Sequence, residues 1–360
     1  VTTVLVAVEL PENMDVAAHE AAHARDEVPD RTPYGLHHLE DDPDVAVRFR
    51  PSLQADPLAW VSRKVRNRLD GYEPVAEAVA TLSPERRRAD VVLCMDEHIG
   101  FPAALVPGGP PAVSNIVWAG WPEEYGRTAR ATIGRAIRRL SGVMTQAAGA
   151  DADLIEAWDL DPARVHHIRL GIDTDFFPPQ PWEDATMTVA TVGDDVFRDH
   201  PLLVDAVARV RAQGLPARLE LGTTRTDVEM PEELGVLHRR RMEGAVRAMY
   251  RRASVVAVAL QPTRRGSGST VVLEAAASGR PVVVSRVPAM AGLVEHGVRG
   301  LLVDPEDPDA MAAGIAELLA DPERARAMGE AARRWVTEEH RSAVMAADIR
   351  AVLRSAMGAG

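Results

Sequence analysis

Between Gln261 and Val284 the chain sets two glycines and three hydroxyl side chains, Gly266-Ser267-Gly268-Ser269-Thr270, directly before Val271-Val272-Leu273-Glu274-Ala275-Ala276-Ala277. A helix beginning near Ser269 would offer its first free amides to the loop. Such amides attract phosphate oxygens, and glycines let a ligand approach the backbone closely. Gly268, Ser269, Thr270 and Val271 are therefore candidate phosphate contacts, and Glu274, in the first turns of the helix, could accept hydrogen bonds from ribose hydroxyls. The competing reading is an ordinary capped turn followed by a surface carboxylate near the helix dipole. Arg264 and Arg265 either bind phosphate or solvate the loop. Arg198, reached through Gly193-Asp194-Asp195-Val196-Phe197, is a second candidate anion contact, or else a loop residue paired with Asp195 or Asp199. In Cys94-Met95-Asp96-Glu97-His98, Glu97 and His98 follow an apolar run and are candidate catalytic groups, because ligands sit at strand ends in sheets of this kind.

One pattern points elsewhere. His19-Glu20-Ala21-Ala22-His23 matches His-Glu-x-x-His, which on a helix puts two imidazoles on one face with a glutamate to activate water, as in zinc hydrolases. A third ligand is needed, and Glu40 lies beyond an intervening Pro29-Asp30-Arg31-Thr32-Pro33. The alternative is a polar helix or loop over an acceptor pocket. Asp-x-Asp pairs begin at Asp42, Asp151, Asp159, Asp173 and Asp307, and none immediately follows a strand of the first half, so no metal is expected in the chemistry.

The elements that position these residues alternate between short apolar runs and longer amphipathic stretches, the pattern of parallel strands joined by crossover helices. Strands are expected at 3–8, 45–49, 90–94, 112–117 and 142–145, and again at 188–192, 218–221, 254–260, 281–285 and 300–303. Helices are expected at 58–69, 72–82, 129–140, 201–213, 245–253, 270–277, 308–319, 323–337 and 340–357. The turn-rich segment from Arg169 to Pro181, with three prolines, separates the two sets. The class is α/β, with domains at 1–177 and 178–360, and the terminal helices from about 340 are expected to pack back on the first domain. Two doubly wound lobes imply a cleft at the strands' carboxyl ends.

Length and composition agree. The 360 residues suit two domains, and 46% hydrophobic content fills both cores. The net charge of −12 argues against a nucleic-acid surface or an anionic-membrane anchor, leaving at most peripheral membrane contact. Residues 1–180 carry 18 basic and 28 acidic side chains, which favours a neutral or cationic ligand on that half. The single cysteine, Cys94, excludes an internal disulfide framework and fits a reducing compartment, so the cytoplasm is the expected location.

The stretch from Gln261 onward, with Leu273-Glu274-Ala275, Gly279-Arg280-Pro281-Val282-Val283 and His296-Gly297-Val298-Arg299-Gly300-Leu301-Leu302-Val303, resembles the donor-site signature of retaining family 4 glycosyltransferases of the GT-B fold. Val165 to Phe176 resembles that family's interdomain linker, and Asp321-Pro322-Glu323 with its helices resembles the closing segment. The resemblance implies two Rossmann-like domains facing a central cleft. It further implies a nucleoside diphosphate sugar as donor, a small-molecule acceptor such as a natural-product or aminocyclitol scaffold, and no cofactor. Glu274 matches the family's second motif glutamate, which binds ribose. The first falls on Gly266, and the arginine that follows glycine after the domain's first strand is replaced by Asp194, leaving Arg198 in the place of the accompanying lysine. A histidine that many relatives carry near Val117 or Trp118 is absent. These departures keep open a noncatalytic nucleotide-sugar-binding subunit as the alternative.

Overall fold

The short apolar runs become two six-stranded sheets, parallel throughout. The computed structural model describes residues 3–358 apart from 12–13, 50–58, 70–71, 76–77, 79–80, 82–83, 118–120, 148, 150, 180 and 183–186. The chain divides into a first unit, Val1–Ala21 with Arg31–Arg169 and Ser342–Gly360, and a second, Ala22–Asp30 with Leu170–Arg341. The passage at Leu170 falls at the start of the proline-rich segment. Phe176 and Phe177 are buried in the second unit, and Arg333 donates to the carbonyls of Thr174 and Phe177.

In the first unit the strands are β1 (Val4–Glu9), β2 (Val45–Phe49), β3 (Val91–Cys94), β4 (Ala112–Asn115), β5 (Gly142–Thr145) and β6 (Val165–His167), in the order β2-β1-β3-β4-β5-β6. The order reverses between β1 and β3, the switch point at which open α/β sheets bind ligands. All four residues of β3, β4 and β5 are buried, as expected where helices cover both faces. The helices are α1 (Val16–Ala24), α2 (Ala59–Arg68), α3 (Pro84–Arg88), α4 (Glu97–Leu105), α5 (Arg127–Arg139) and α6 (Asp151–Trp158). Ile99, Phe101, Ile133 and Ile137 of α4 and α5 pack on Val92, Cys94 and Val143. Sequence reading did not find α1, α4, α6 or the edge strand β6, and the helix expected at 72–82 lies largely outside the described residues.

The second unit contains β7 (Thr188–Val192), β8 (Arg218–Gly222), β9 (Gly235–His238), β10 (Val255–Val258), β11 (Val282–Ser285) and β12 (Gly300–Val303). Their order is β9-β8-β7-β10-β11-β12, the doubly wound arrangement of dinucleotide-binding sheets, with its switch point between β7 and β10. Here the sequence reading missed only the edge strand β9. The helices are α7 (His200–Ala212), α8 (Val246–Arg252), α9 (Ser269–Ala277), α10 (Pro308–Ala320) and α11 (Pro322–Glu339). Three of them begin alike: the carboxylates of Asp199, Asp307 and Asp321 accept from first-turn amides, each with a proline in that turn, which suits residues whose amide would otherwise be orphaned. The last helix, α12 (Ser342–Gly358), returns to the first unit and packs across β3, β4 and β5.

Helix α11 supports α9, and Gly329 makes the approach possible. A Cβ at Gly329 would sit 2.2 Å from the Gly279 carbonyl oxygen just beyond α9. Gly329→Ala is therefore expected to cost about 1–3 kcal/mol, the usual penalty of an overpacked contact. The check is the urea midpoint, and an unchanged value would show that the helices part freely.

Candidate functional site

Arg198 is the centre of the second unit's site. It leaves the β7 end, pairs its backbone with Leu260 beyond β10, and so bridges the switch point. Only 2% of it is exposed. One guanidinium nitrogen donates to Thr191 Oγ1 at 2.7 Å, while Nε has no hydrogen-bond partner among the described residues. Neither expected carboxylate pairs with it: Asp195 accepts from the Phe197 amide and Asp199 caps α7. Burial pulls its pKa down to about 10, which leaves it charged at neutral pH. Asp195 acts on it only through space, and a buried cation with no carboxylate in contact among the described residues is costly, so an anionic ligand would satisfy it.

Two glycines make room for that guanidinium. A Cβ on Gly193 would lie 3.0 Å from Arg198 Nε, and one on Gly268 would lie 3.3 Å from its Nη1 and 2.8 Å from Val258. Gly268 adopts φ 80° as it caps α9, a conformation that glycine takes without strain. The Ser267 and Ser269 hydroxyls beside it are buried with no hydrogen-bond partner among the described residues. Thr270 is exposed and Val271 buried in the first turn, whose amides have no carbonyl one turn earlier within the helix. Arg264 is exposed, and Arg265 lies over the Phe197 ring, 5.1 Å from its centroid. Thus Gly193, Arg198, Gly268, Ser269, Thr270 and Val271 come together at one strand-end site, whereas Arg264 faces solvent.

Glu274 lies one turn further along α9. Its carboxylate accepts from the Tyr250 hydroxyl at 2.7 Å, and burial raises its pKa to about 7 although that hydrogen bond opposes the shift. Sequence reading missed Tyr250, which is fully buried on α8, and it missed Thr191 and Arg225. Arg225 donates to the carbonyls of Asp195 and Arg198 and so holds the Arg198 loop. Asp194, which replaces an arginine in the family pattern, accepts from Thr223 Oγ1 and the Thr224 amide and tethers the next loop. His200 donates to the Gly193 carbonyl at 2.9 Å. Burial and the neighbouring Arg198 charge push its pKa down to about 4, so it is neutral at pH 7. Gly266 has open space around it, its hypothetical Cβ 4.0 Å from Ser269 Oγ.

In the first unit, Asp96 caps α4 through the His98 amide and its carboxylate also meets His98 Nδ1. Burial lowers the His98 pKa, but the Asp96 hydrogen bond and charge outweigh it and the net shift is upward. The Tyr72 ring lies 5.0 Å from the imidazole. Glu97 has no exposed surface, and its carboxylate accepts from the Val117 amide at 2.9 Å, so it positions the β4 exit. Burial and repulsion from Asp96 raise its pKa to about 7. Trp118 lies outside the described residues. Ligating atoms of Asp96, Glu97 and His98 fall within 4.8 Å of one another, whereas His19, Glu20 and His23 join no three-group cluster of that kind among the described residues. The zinc-hydrolase pattern is therefore without its third ligand there.

Residues 186–321 match the family described as Glycosyl transferases group 1. The chain is 33% identical over 192 residues to a D-inositol 3-phosphate glycosyltransferase of Corynebacterium glutamicum, covering 46% of this chain and 45% of that one. A protein of the same description from Thermobispora bispora is 30% identical over 192 residues, with 46% and 44% covered. The match spans about half the length of these relatives. Among solved structures, sucrose-phosphate synthase from Thermosynechococcus elongatus superposes with a TM-score of 0.71 at 17% identity, covering 98% of this chain and 100% of that one. Anabaena HepE in complex with UDP-glucose gives 0.67 at 16% identity, covering 97% and 99%. The fold is GT-B, and the similarity to glycosyl transferases group 1 falls on residues 186–321. No helix among the described residues is long and apolar enough to cross a membrane.

A carboxylate accepts from ribose hydroxyls better when ionised, so nucleotide affinity should rise with pH through the Glu274 value of about 7. Between pH 6 and pH 8 the gain is expected to be up to about tenfold for UDP by calorimetry. The Glu274→Gln variant should bind more weakly and lose that part of the slope. An identical pH profile in wild type and variant would remove Glu274 from the nucleotide site.

Proposed function

We propose that the chain is a retaining glycosyltransferase that moves a sugar from a nucleoside diphosphate sugar to an acceptor hydroxyl. The observation that carries this reading is the buried Arg198 guanidinium, unpaired by any carboxylate among the described residues, beside the α9 N-terminus and the two unpartnered serine hydroxyls. Arg198 and the first-turn amides would hold the diphosphate and stabilise the charge that builds on it as the sugar leaves. Preorganised donors of this kind commonly contribute about 3 kcal/mol each. The ionised Glu274 would accept from the ribose, held by Tyr250.

In the reaction, the acceptor oxygen attacks the anomeric carbon on the face the diphosphate vacates. The bond from that carbon to the phosphate oxygen breaks, and a phosphate oxygen takes the acceptor's proton. His98, with Nδ1 engaged by Asp96, would orient the acceptor hydroxyl through its other nitrogen. Because Arg198 and the helix end supply the positive potential, transfer is expected to survive chelation. The group 1 match, and the naming of relatives as glycosyltransferases that act on D-inositol 3-phosphate, support the reaction class.

The test is a mass-spectrometric screen of nucleotide sugars for hydrolysis and transfer by the isolated chain. Arg198→Ala should lower turnover by about 10²–10³-fold and weaken nucleoside diphosphate binding, as expected when a buried anion loses its charged donor. Unchanged rate and affinity would place Arg198 outside the site. Failure of every donor to turn over alone, with turnover on adding a partner, would instead favour a nucleotide-sugar-binding subunit.

Gly266 departs from the family pattern where relatives carry a carboxylate toward the donor sugar, and the open space there admits a side chain. Gly266→Glu is therefore expected to change the ratio of kcat/KM between donor sugars by about tenfold, with UDP affinity altered less. A shift in UDP affinity as large as the shift in sugar preference would count against this placement.

A further inference from the structure

A cavity of about 720 Å³ lies within the first unit, lined by residues of α4 and α5 together with Arg68, Leu69, Tyr72, Pro74 and Ala78. Its volume falls in the range of small-molecule pockets, roughly 300–1,000 Å³. Tyr72, Phe101, Leu105, Tyr125, Ala129 and Ile133 give it aromatic and aliphatic walls. Among the described residues that line it, Arg68 is the one charged side chain, the hydroxyls come from Thr128, Thr132 and the two tyrosines, and none is a carboxylate. Tyr72 ties this cavity to the strand-end chemistry, because its ring stacks on Phe101 at 6.0 Å and lies 5.0 Å from the His98 imidazole.

We propose that this groove holds the apolar body of an uncharged acceptor, whose hydroxyl is presented at His98. The proposal rests on the glycosyltransferase reading and specifies its substrate class. A polar, doubly charged inositol phosphate would find one guanidinium and a few hydroxyls here and would leave the aromatic walls uncovered. An aromatic or polycyclic body would cover them, removing apolar surface from water on both sides, and Tyr72 would place its hydroxyl-bearing end near the imidazole. The acceptor class therefore differs from the one named for the similar relatives.

The experiment uses the full chain and the fluorescent probe N-phenyl-1-naphthylamine. Saturable binding is expected, and 4-methylumbelliferone should displace the probe from the wild-type protein whereas inositol 3-phosphate should not. This arm needs no variant. Ala129 and Thr132 are exposed positions on α5 that line the groove, so Ala129→Trp and Thr132→Trp should each weaken probe binding at least tenfold in protein that retains its helical circular dichroism. Trp60 is 65% exposed on α2 and lies outside the groove, so Trp60→Ala should leave probe binding unchanged. Probe binding that is absent, insensitive to both tryptophan variants, lost with Trp60→Ala, or displaced by inositol 3-phosphate would overturn the proposal. Nucleotide-sugar consumption by the wild-type chain is read separately. Its absence would refute the glycosyltransferase reading, while the probe results alone decide whether the groove takes an apolar body.

Discussion

The second unit is organised around the desolvation of one guanidinium. Taking Arg198 out of water requires donors and acceptors placed with little slack, and the surrounding sequence supplies them: Thr191 from β7, bare backbone at Gly193 and Gly268, and Arg225 clamping the loop carbonyls. His200 completes the arrangement by staying neutral, since a second positive charge beside Arg198 would add repulsion to an already costly burial. Each of these residues lies at a strand end or in the loop after it. The sheet order decides which ends meet, and the β7/β10 reversal brings the Arg198 loop against the α9 cap.

The two candidate sites are built with different physics. Around Arg198 the favourable terms are charge and oriented amides, which are strongest where water is excluded. In the first unit the carboxylates are turned to internal duty. Asp96 holds the start of α4 and the His98 ring, and Glu97 pins the Val117 amide. Only the imidazole among these three has both a free nitrogen and partial exposure, and beside it the walls are apolar. The surplus of acidic residues across the first 180 positions is not found among the described residues that line the groove.

Much of this could be read from the residues. Val282-Val283-Val284 announces a strand covered on both faces, and a glycine and serine loop before small residues announces a helix start, because both signals are local in sequence. The edge strands Val165–His167 and Gly235–His238 escaped notice because three or four residues with histidines among them carry no alternation to detect. Helix α4 was hidden by Pro102 and by its continuous burial, which erases the one-sided pattern of an amphipathic helix. Tyr250 could not be found at all from sequence, for it meets Glu274 only when α8 and α9 fold against the same sheet. Glu97 is the opposite case: its position after a strand is legible, but the direction of its side chain is set by the Val117 amide, just beyond another strand.

The assignment of α12 to the first unit has a consequence for synthesis. The helix that seals β3, β4 and β5, burying Met345, Ile349 and Leu353, is Ser342–Gly358, made after the whole of residues 170–341. The first sheet therefore emerges from the ribosome early yet waits with apolar surface uncovered, while the second unit can close soon after its own strands appear. Such a lag is a window for aggregation or chaperone capture. The unit whose strands are made first thus depends on a helix made after the other unit's strands.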